Sequence, residues 1–158
     1  MQEKLQKILE QAYELCEDGN YLRALEYYDI ALDIEPDNLN AIIDNGVTLQ
    51  NLEHFNEALQ MYEKALSIDA ENLDVLINKG SVLHTLKKYS EAISCYDVVL
   101  DHDKRNAMAL AYKGLSIGEM GNVPSAIQYF KKALHMDQDY DLAQISLLTA
   151  KNILKNTS

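Results

Sequence analysis

Gly46-Val47-Thr48-Leu49-Gln50-Asn51-Leu52-Glu53-His54-Phe55-Asn56-Glu57-Ala58-Leu59-Gln60-Met61-Tyr62-Glu63-Lys64-Ala65 is the stretch from which the rest of the chain follows. A shift of 34 residues carries Gly46 onto Gly80, and a second shift carries it onto Gly114. The same step links Ala24, Ala58, Ala92 and Ala126. It also links Tyr28, Tyr62, Tyr96 and Phe130, and then Leu32, Leu66, Leu100 and Leu134. A constant period of this length marks an array of small structural units, none of which buries its apolar face alone.

Working outward, each copy resolves into two helices. Residues 3–17 place Leu5, Ile8, Leu9, Ala12, Tyr13, Leu15 and Cys16 at helical spacing. Glu17-Asp18-Gly19-Asn20 breaks this helix, and Tyr21 to Asp33 resumes one with Leu22, Ala24, Leu25, Tyr28, Ala31 and Leu32 along one side. Pro36-Asp37-Asn38 stops the second helix and starts a third, with Asp37 or Asn38 as its N-cap. The pair recurs at about 39–51 and 55–67, 73–85 and 89–101, and 107–119 and 123–135. Loops of three to five residues force antiparallel neighbours. A last helix over 140–156 begins no fifth pair, because Leu148 stands where glycine is due. It reads as a cap with a more polar outer side. The glycines lie mid-helix, where glycine costs about 1 kcal/mol relative to alanine, so a close contact must compensate. The expected contact is the crossing of the second helix at Ala24, Ala58, Ala92 and Ala126, with the aromatics filling the wider space between pairs.

Composition limits the function classes. The 158 residues amount to one domain. A net charge of −11 opposes binding to a nucleic-acid polyanion. No apolar run is long enough to span a membrane. Met1-Gln2-Glu3-Lys4 lacks the pattern of a secretion signal, which with two unlinked cysteines points to the cytoplasm and to Cys16 and Cys95 as buried free thiols. Charge falls mainly on the first half: −6 over 1–36 and −5 over 37–70, against −2 over 71–104 and +2 over 105–138. Such asymmetry can steer a basic partner; solubility and drift between copies is the plainer reading.

Gly46-x-x-Leu49, Phe55, Ala58, Tyr62, Ala65 and Leu66, matched by Gly80-x-x-Leu83, Tyr89, Ala92 and Tyr96, resemble the tetratricopeptide repeat (TPR). The resemblance implies an all-α fold, a right-handed α-solenoid of antiparallel helix pairs. It covers four repeats, about 5–38, 39–72, 73–106 and 107–138, in a single domain with a capping helix at about 140–156. The family's tryptophan is replaced by Ile8, Ile42, Leu76 and Leu110, and its closing proline survives only as Pro36. Ala12 stands for glycine in the first repeat and Val123 for an aromatic in the fourth.

The resemblance also implies a concave face lined by the first helix of each pair, where a partner's peptide or helix is held. By phase this face presents Gln6, Leu9, Glu10, Tyr13 and Glu17, then Asn40, Ile43, Asp44, Val47, Gln50 and Asn51. Asp74, Ile77, Asn78, Ser81, His84 and Thr85 follow, then Met108, Ala111, Tyr112, Leu115 and Glu119. The family's carboxylate clamp, which grips an acidic C-terminus, is not matched: Leu9, Tyr13, Asp44, Asp74 and Asn78 occupy its positions. An apolar face with carboxylates and amides favours a ligand with basic and apolar residues. Asn78 matches the family's asparagine that bonds an extended peptide backbone, and an amide both donates and accepts. For Asn78 and for the acids, a solvated helix face is the competing reading.

The expected function is therefore a non-enzymatic adaptor or assembly factor that binds a partner protein, without cofactor or metal. No phosphate-cradling loop or His-Glu-x-x-His is present, and His54, His84, His102 and His135 are scattered. Asp101-His102-Asp103 reads as a helix end. The alternative is a self-associating scaffold or homodimer, built through the cap helix or the open first repeat.

Overall fold

The computed structural model describes residues 1–157. Among these there are nine helices and no strand. They are α1 (Gln2–Glu17), α2 (Tyr21–Ile34), α3 (Leu39–Asn51), α4 (Phe55–Ile68), α5 (Leu73–Thr85), α6 (Tyr89–His102), α7 (Ala107–Glu119), α8 (Val123–Met136) and α9 (Asp141–Asn156). The fold is an all-α solenoid of helix pairs. The helices of the four pairs begin and end within one residue of the spans read from periodicity. The chain divides into two compact units, Met1–Asn78 and the residues from Lys79 onward, with the division inside α5.

Local chemistry sets the helix ends. Asn38 caps α3 by accepting the Ala41 amide at 3.0 Å. One period on, Asn72 accepts from Val75 at 3.1 Å, and two periods on, Asn106 accepts from Ala109 at 2.9 Å. Each such bond satisfies an amide that the helix leaves open. The series stops at Tyr140, which caps α9 without a side-chain bond. Within each pair the turn is also periodic. Amides of Asn20, His54, Lys88 and Asn122 reach back to carbonyls of Leu15, Leu49, Leu83 and Ile117 at 2.7, 2.9, 2.8 and 3.2 Å. This closure requires a left-handed residue just before the donor. Gly19 and Gly121 supply it at φ +73° and +93°, whereas Glu53 and Lys87 adopt it at +60° and +61° with a side chain in place. The second pair of turns therefore carries backbone strain that the first pair avoids.

Packing within each pair differs from the sequence expectation. A Cβ at Gly46 would stand 2.8 Å from Tyr62 Cε1, one at Gly114 would stand 2.7 Å from Phe130 Cε1, and one at Gly80 would collide with the Tyr96 ring. The glycines thus make room for the aromatic ring of their own pair, and the rings do not simply fill space between pairs. Ala24, Ala58, Ala92 and Ala126 are themselves fully buried or nearly so, consistent with close helix contact. The first repeat has Ala12 and Tyr28 at the matching positions, and both are buried.

Both cysteines are free. Cys95 is buried, and burial pushes its thiol up from the usual range. Cys16 is only half-buried, and its sulfur shares a hydrogen bond with Thr48 Oγ1 at 3.4 Å. Ala143, Ser146 and Ala150 of α9 pack inward, while its outer side is mixed: Asp141, Gln144, Thr149, Lys151, Asn152 and Lys155 are exposed beside Ile145 and Leu148, which are 64% and 63% exposed.

Candidate functional site

In the first unit, α1 and α3 enclose a concavity of about 760 Å³ with the α2–α3 loop at its edge. Leu5, Leu9 and Tyr13 give it an apolar wall. Glu10, Glu14, Glu35 and Asp44 give it four carboxylates, and no Lys or Arg lines it. The amides of Gln2, Gln6 and Asn40 complete the lining; Gln6 donates to Glu10 at 2.9 Å, and Glu35 accepts from Asn38 outside the lining at 2.6 Å. Partial burial in this concavity raises the Asp44 carboxyl above its ordinary range. Removal of a charge from water without a counter-charge has that effect, and a cation placed there would reverse it.

Among the concavities of the second unit, two smaller ones involve residues of the face read from the sequence. One, of about 240 Å³, is lined by Ser81, His84, Thr85, Tyr96, Tyr112, Leu115 and Leu142. His84 Nδ1 shares a 2.8 Å hydrogen bond with Ser116 Oγ and meets the Tyr89 ring edge-on at 5.2 Å. Burial lowers the His84 imidazole below its ordinary value, and the charge of Glu119 opposes that shift without cancelling it. Tyr96 and Tyr112 meet edge-on at 5.9 Å. The other concavity, of about 380 Å³, lies among α7, α8 and α9.

Of the residues read as a concave face, Leu9, Glu10, Tyr13, Asn40 and Asp44 converge on the first concavity. Ser81, His84, Tyr112, Leu115 and Glu119 divide between the two in the second unit. Glu17, Asn51, Asp74 and Met108 are exposed but line none of these three, and Ile43, Val47 and Asn78 are half-buried beside them in sequence. Two assignments need correction. Ile77 is only 6% exposed, and Ala111 is fully buried. Val75, Leu76 and Ile77 are all buried, so α5 is covered over a wide arc and its inward phase is core. Gln50 is half-buried and already engaged, since its Oε1 accepts the Tyr62 hydroxyl at 2.7 Å. Glu14 and Glu35 were not anticipated. Glu14 follows Glu10 by one helical turn, a spacing that signals a shared face, whereas Glu35 lies in a loop without periodic phase.

No group of three His, Cys, Asp or Glu side chains gathers as a metal site among the described residues. His102 ends α6 with Nδ1 bonded to the Val98 carbonyl at 3.0 Å. Among the described residues no helix is long and apolar enough to cross a membrane.

Two sequence profiles described as tetratricopeptide repeat match residues 49–113 and 86–141. The chain belongs to the tetratricopeptide repeat family. TPR proteins are protein-interaction modules and generally carry no catalysis of their own. Solved structures agree in fold. A MamA protein superposes with a TM-score of 0.85 at 20% identity over 96% of this chain and 83% of its own. A tetratricopeptide repeat protein from Parabacteroides merdae gives 0.85 at 24% identity over 98% of this chain, which spans 61% of that one. PilF of Pseudomonas aeruginosa gives 0.84 at 22% identity over 98% and 71%. Identities this low establish the TPR fold and nothing narrower. Among curated proteins, none matches the chain by sequence.

Proposed function

We propose that this TPR chain binds an extended or helical segment of a partner protein, rich in basic and apolar residues, in the concavity between α1 and α3. It would act as an adaptor or assembly factor without chemistry of its own. The single observation that supports this most is the lining: four carboxylates around an apolar wall, with no Lys or Arg among them. A basic residue there would give Asp44 a counter-charge that the lining lacks, and leucine-sized side chains would cover Leu9 and Tyr13. An acidic tail would meet like charge, so a carboxylate-clamp ligand does not suit this surface. The reading also treats residues 1–158 as one functional domain acting in the cytoplasm.

The test uses short synthetic peptides of leucine and lysine, and of leucine and glutamate, read by fluorescence anisotropy. The lysine peptide should bind, more weakly as salt rises, and the glutamate peptide should not. Glu10→Lys with Asp44→Lys should abolish binding while leaving helicity intact. Equal binding of the two peptides, or full binding by the charge-reversed chain, would overturn the proposal.

A second reading rests on α9. Ile145, Leu148 and Ile153 are 64%, 63% and 48% exposed, an apolar stripe of the kind that a second copy can cover. Light scattering on a sizing column decides it: a dimer that Leu148→Glu converts to monomer supports self-association, and a concentration-independent monomer removes it.

A further inference from the structure

We infer that the fourth repeat contains an anchor pocket for one bulky apolar side chain of a partner segment, with an adjacent Lys or Arg held by Glu119. This rests on the reading that a partner segment binds, and adds a second, separate point of recognition.

One periodic position beside this pocket is empty. Cys16, Gln50, His84 and Gly118 are related by steps of 34 residues. The first three carry side chains with partners: Cys16 meets Thr48, Gln50 accepts from Tyr62, and His84 bonds Ser116. Gly118 has no side chain, and the aromatic of its repeat is Phe130, which lacks the hydroxyl present in the other three. Gly118 borders a cavity of about 380 Å³, walled by Leu115, Phe130, Ile145 and Ile153; the corresponding cavity of the third repeat, where His84 fills the position, is about 240 Å³. That volume lies within the roughly 300–1,000 Å³ of ordinary ligand sites.

Packing does not require this glycine. A Cβ at Gly118 would meet only the Ala126 methyl, at an ordinary 3.5 Å, and its backbone is not left-handed. Gly46, Gly80 and Gly114 are sterically compelled, and Gly118 is not. A helical glycine without a compensating contact is a net loss of stability unless the space is used. The walls keep that space apolar and open to solvent, since Ile145 and Ile153 border it while largely exposed.

Charge specifies the neighbour of the anchoring side chain. Glu119 is the one ionisable residue lining the cavity, and no cation offsets it there. A segment with an apolar residue next to Lys or Arg satisfies both features; one with an acidic neighbour does not.

The test is an NMR titration of the full chain with N-acetyl-Phe-Arg-amide and N-acetyl-Phe-Glu-amide at low salt. The arginine probe should shift the Gly118, Ala126 and Thr149 amides saturably. The glutamate probe should bind roughly two- to fivefold more weakly, the range expected for one exposed ion pair. Gly118→Leu should abolish the saturable shifts. Gly118→Ala, which the geometry admits without rearrangement, should weaken them and guards against a misfolded leucine variant. Absence of saturable shifts, equal binding of both probes, retention of binding by the two variants, or shifts that follow protein concentration alone, as for a second copy, would each overturn the inference. Failure of the α1–α3 site is read elsewhere, at Leu9 and Asp44 with the leucine–lysine peptide. A chain that takes that peptide there yet ignores the arginine probe at Gly118 keeps the first proposal and loses this one.

Discussion

A glycine in a helix has two physical meanings here, and the chain contains both. At Gly80 any Cβ would enter the Tyr96 ring, so the missing side chain is the condition for packing. At Gly118 a methyl has room beside Ala126, so packing does not need its absence. The same substitution should therefore act with opposite sign. Gly80→Ala is expected to lose about 1–3 kcal/mol through overpacking. Gly118→Ala is expected to gain up to about 1 kcal/mol from helix propensity, less so near the helix end. Urea unfolding of the two variants checks this; a Gly80→Ala chain as stable as its parent would refute the ring-contact account.

Between elements, side-chain pairs 32 residues apart bridge the first helices of successive repeats: Cys16 with Thr48 and, two periods on, His84 with Ser116. The second bridge is sensitive to pH. Burial holds the His84 imidazole below its ordinary 6.5, so as pH falls the unfolded chain binds the proton first. Its favourable contribution is complete above about pH 6.5 and is lost as pH drops below that value. His84→Gln, which installs the residue found at position 50, should flatten the fall in melting temperature between about pH 7.5 and pH 5.5. An unchanged slope would show that other groups govern it. The elements themselves were legible in the sequence, because a period of 34 with recurring small, aromatic and Asn residues fixes the order and length of the helices. Which side chain meets each glycine was not legible. Ala58 and Tyr62 lie one helical turn apart on the same face, and phase alone does not choose between them. The site was legible in part. Helical phase brought Leu9, Glu10, Tyr13, Asn40 and Asp44 together, but failed at Ile77, where a broadly buried helix has no free inner face. It also missed Glu35 in its loop and the cavity at Gly118, which is visible only as a residue absent from a series.

At the scale of the molecule, charge separates the two units. Met1–Asn78 contains 17 acidic and 4 basic side chains, a formal −13, whereas the residues from Lys79 onward contain 8 and 10, a formal +2. Like charge confined to one unit works against its own compact state, and salt relieves it. Native-state hydrogen exchange should show α1–α4 amides gaining protection as salt rises, while α6–α9 amides change little. A uniform response along the chain would remove charge as the cause. In a solenoid, where stability is a sum over repeats and their neighbours, such local differences persist instead of averaging out.

Asn45-Gly46 carries a further consequence. An asparagine followed by glycine is the dipeptide most prone to deamidation, in which the glycine amide nitrogen attacks the side-chain carbonyl to form a succinimide. Here the pair lies inside α3, Asn45 is 2% exposed, and its Nδ2 donates to Asp29 at 3.1 Å. The helix commits the Gly46 amide to the carbonyl four residues earlier, so the attack geometry is reached only when α3 opens. Chemical ageing of this protein should thus record how often its second repeat has come apart, and the aspartate or isoaspartate left behind would lack the amide that Asp29 binds.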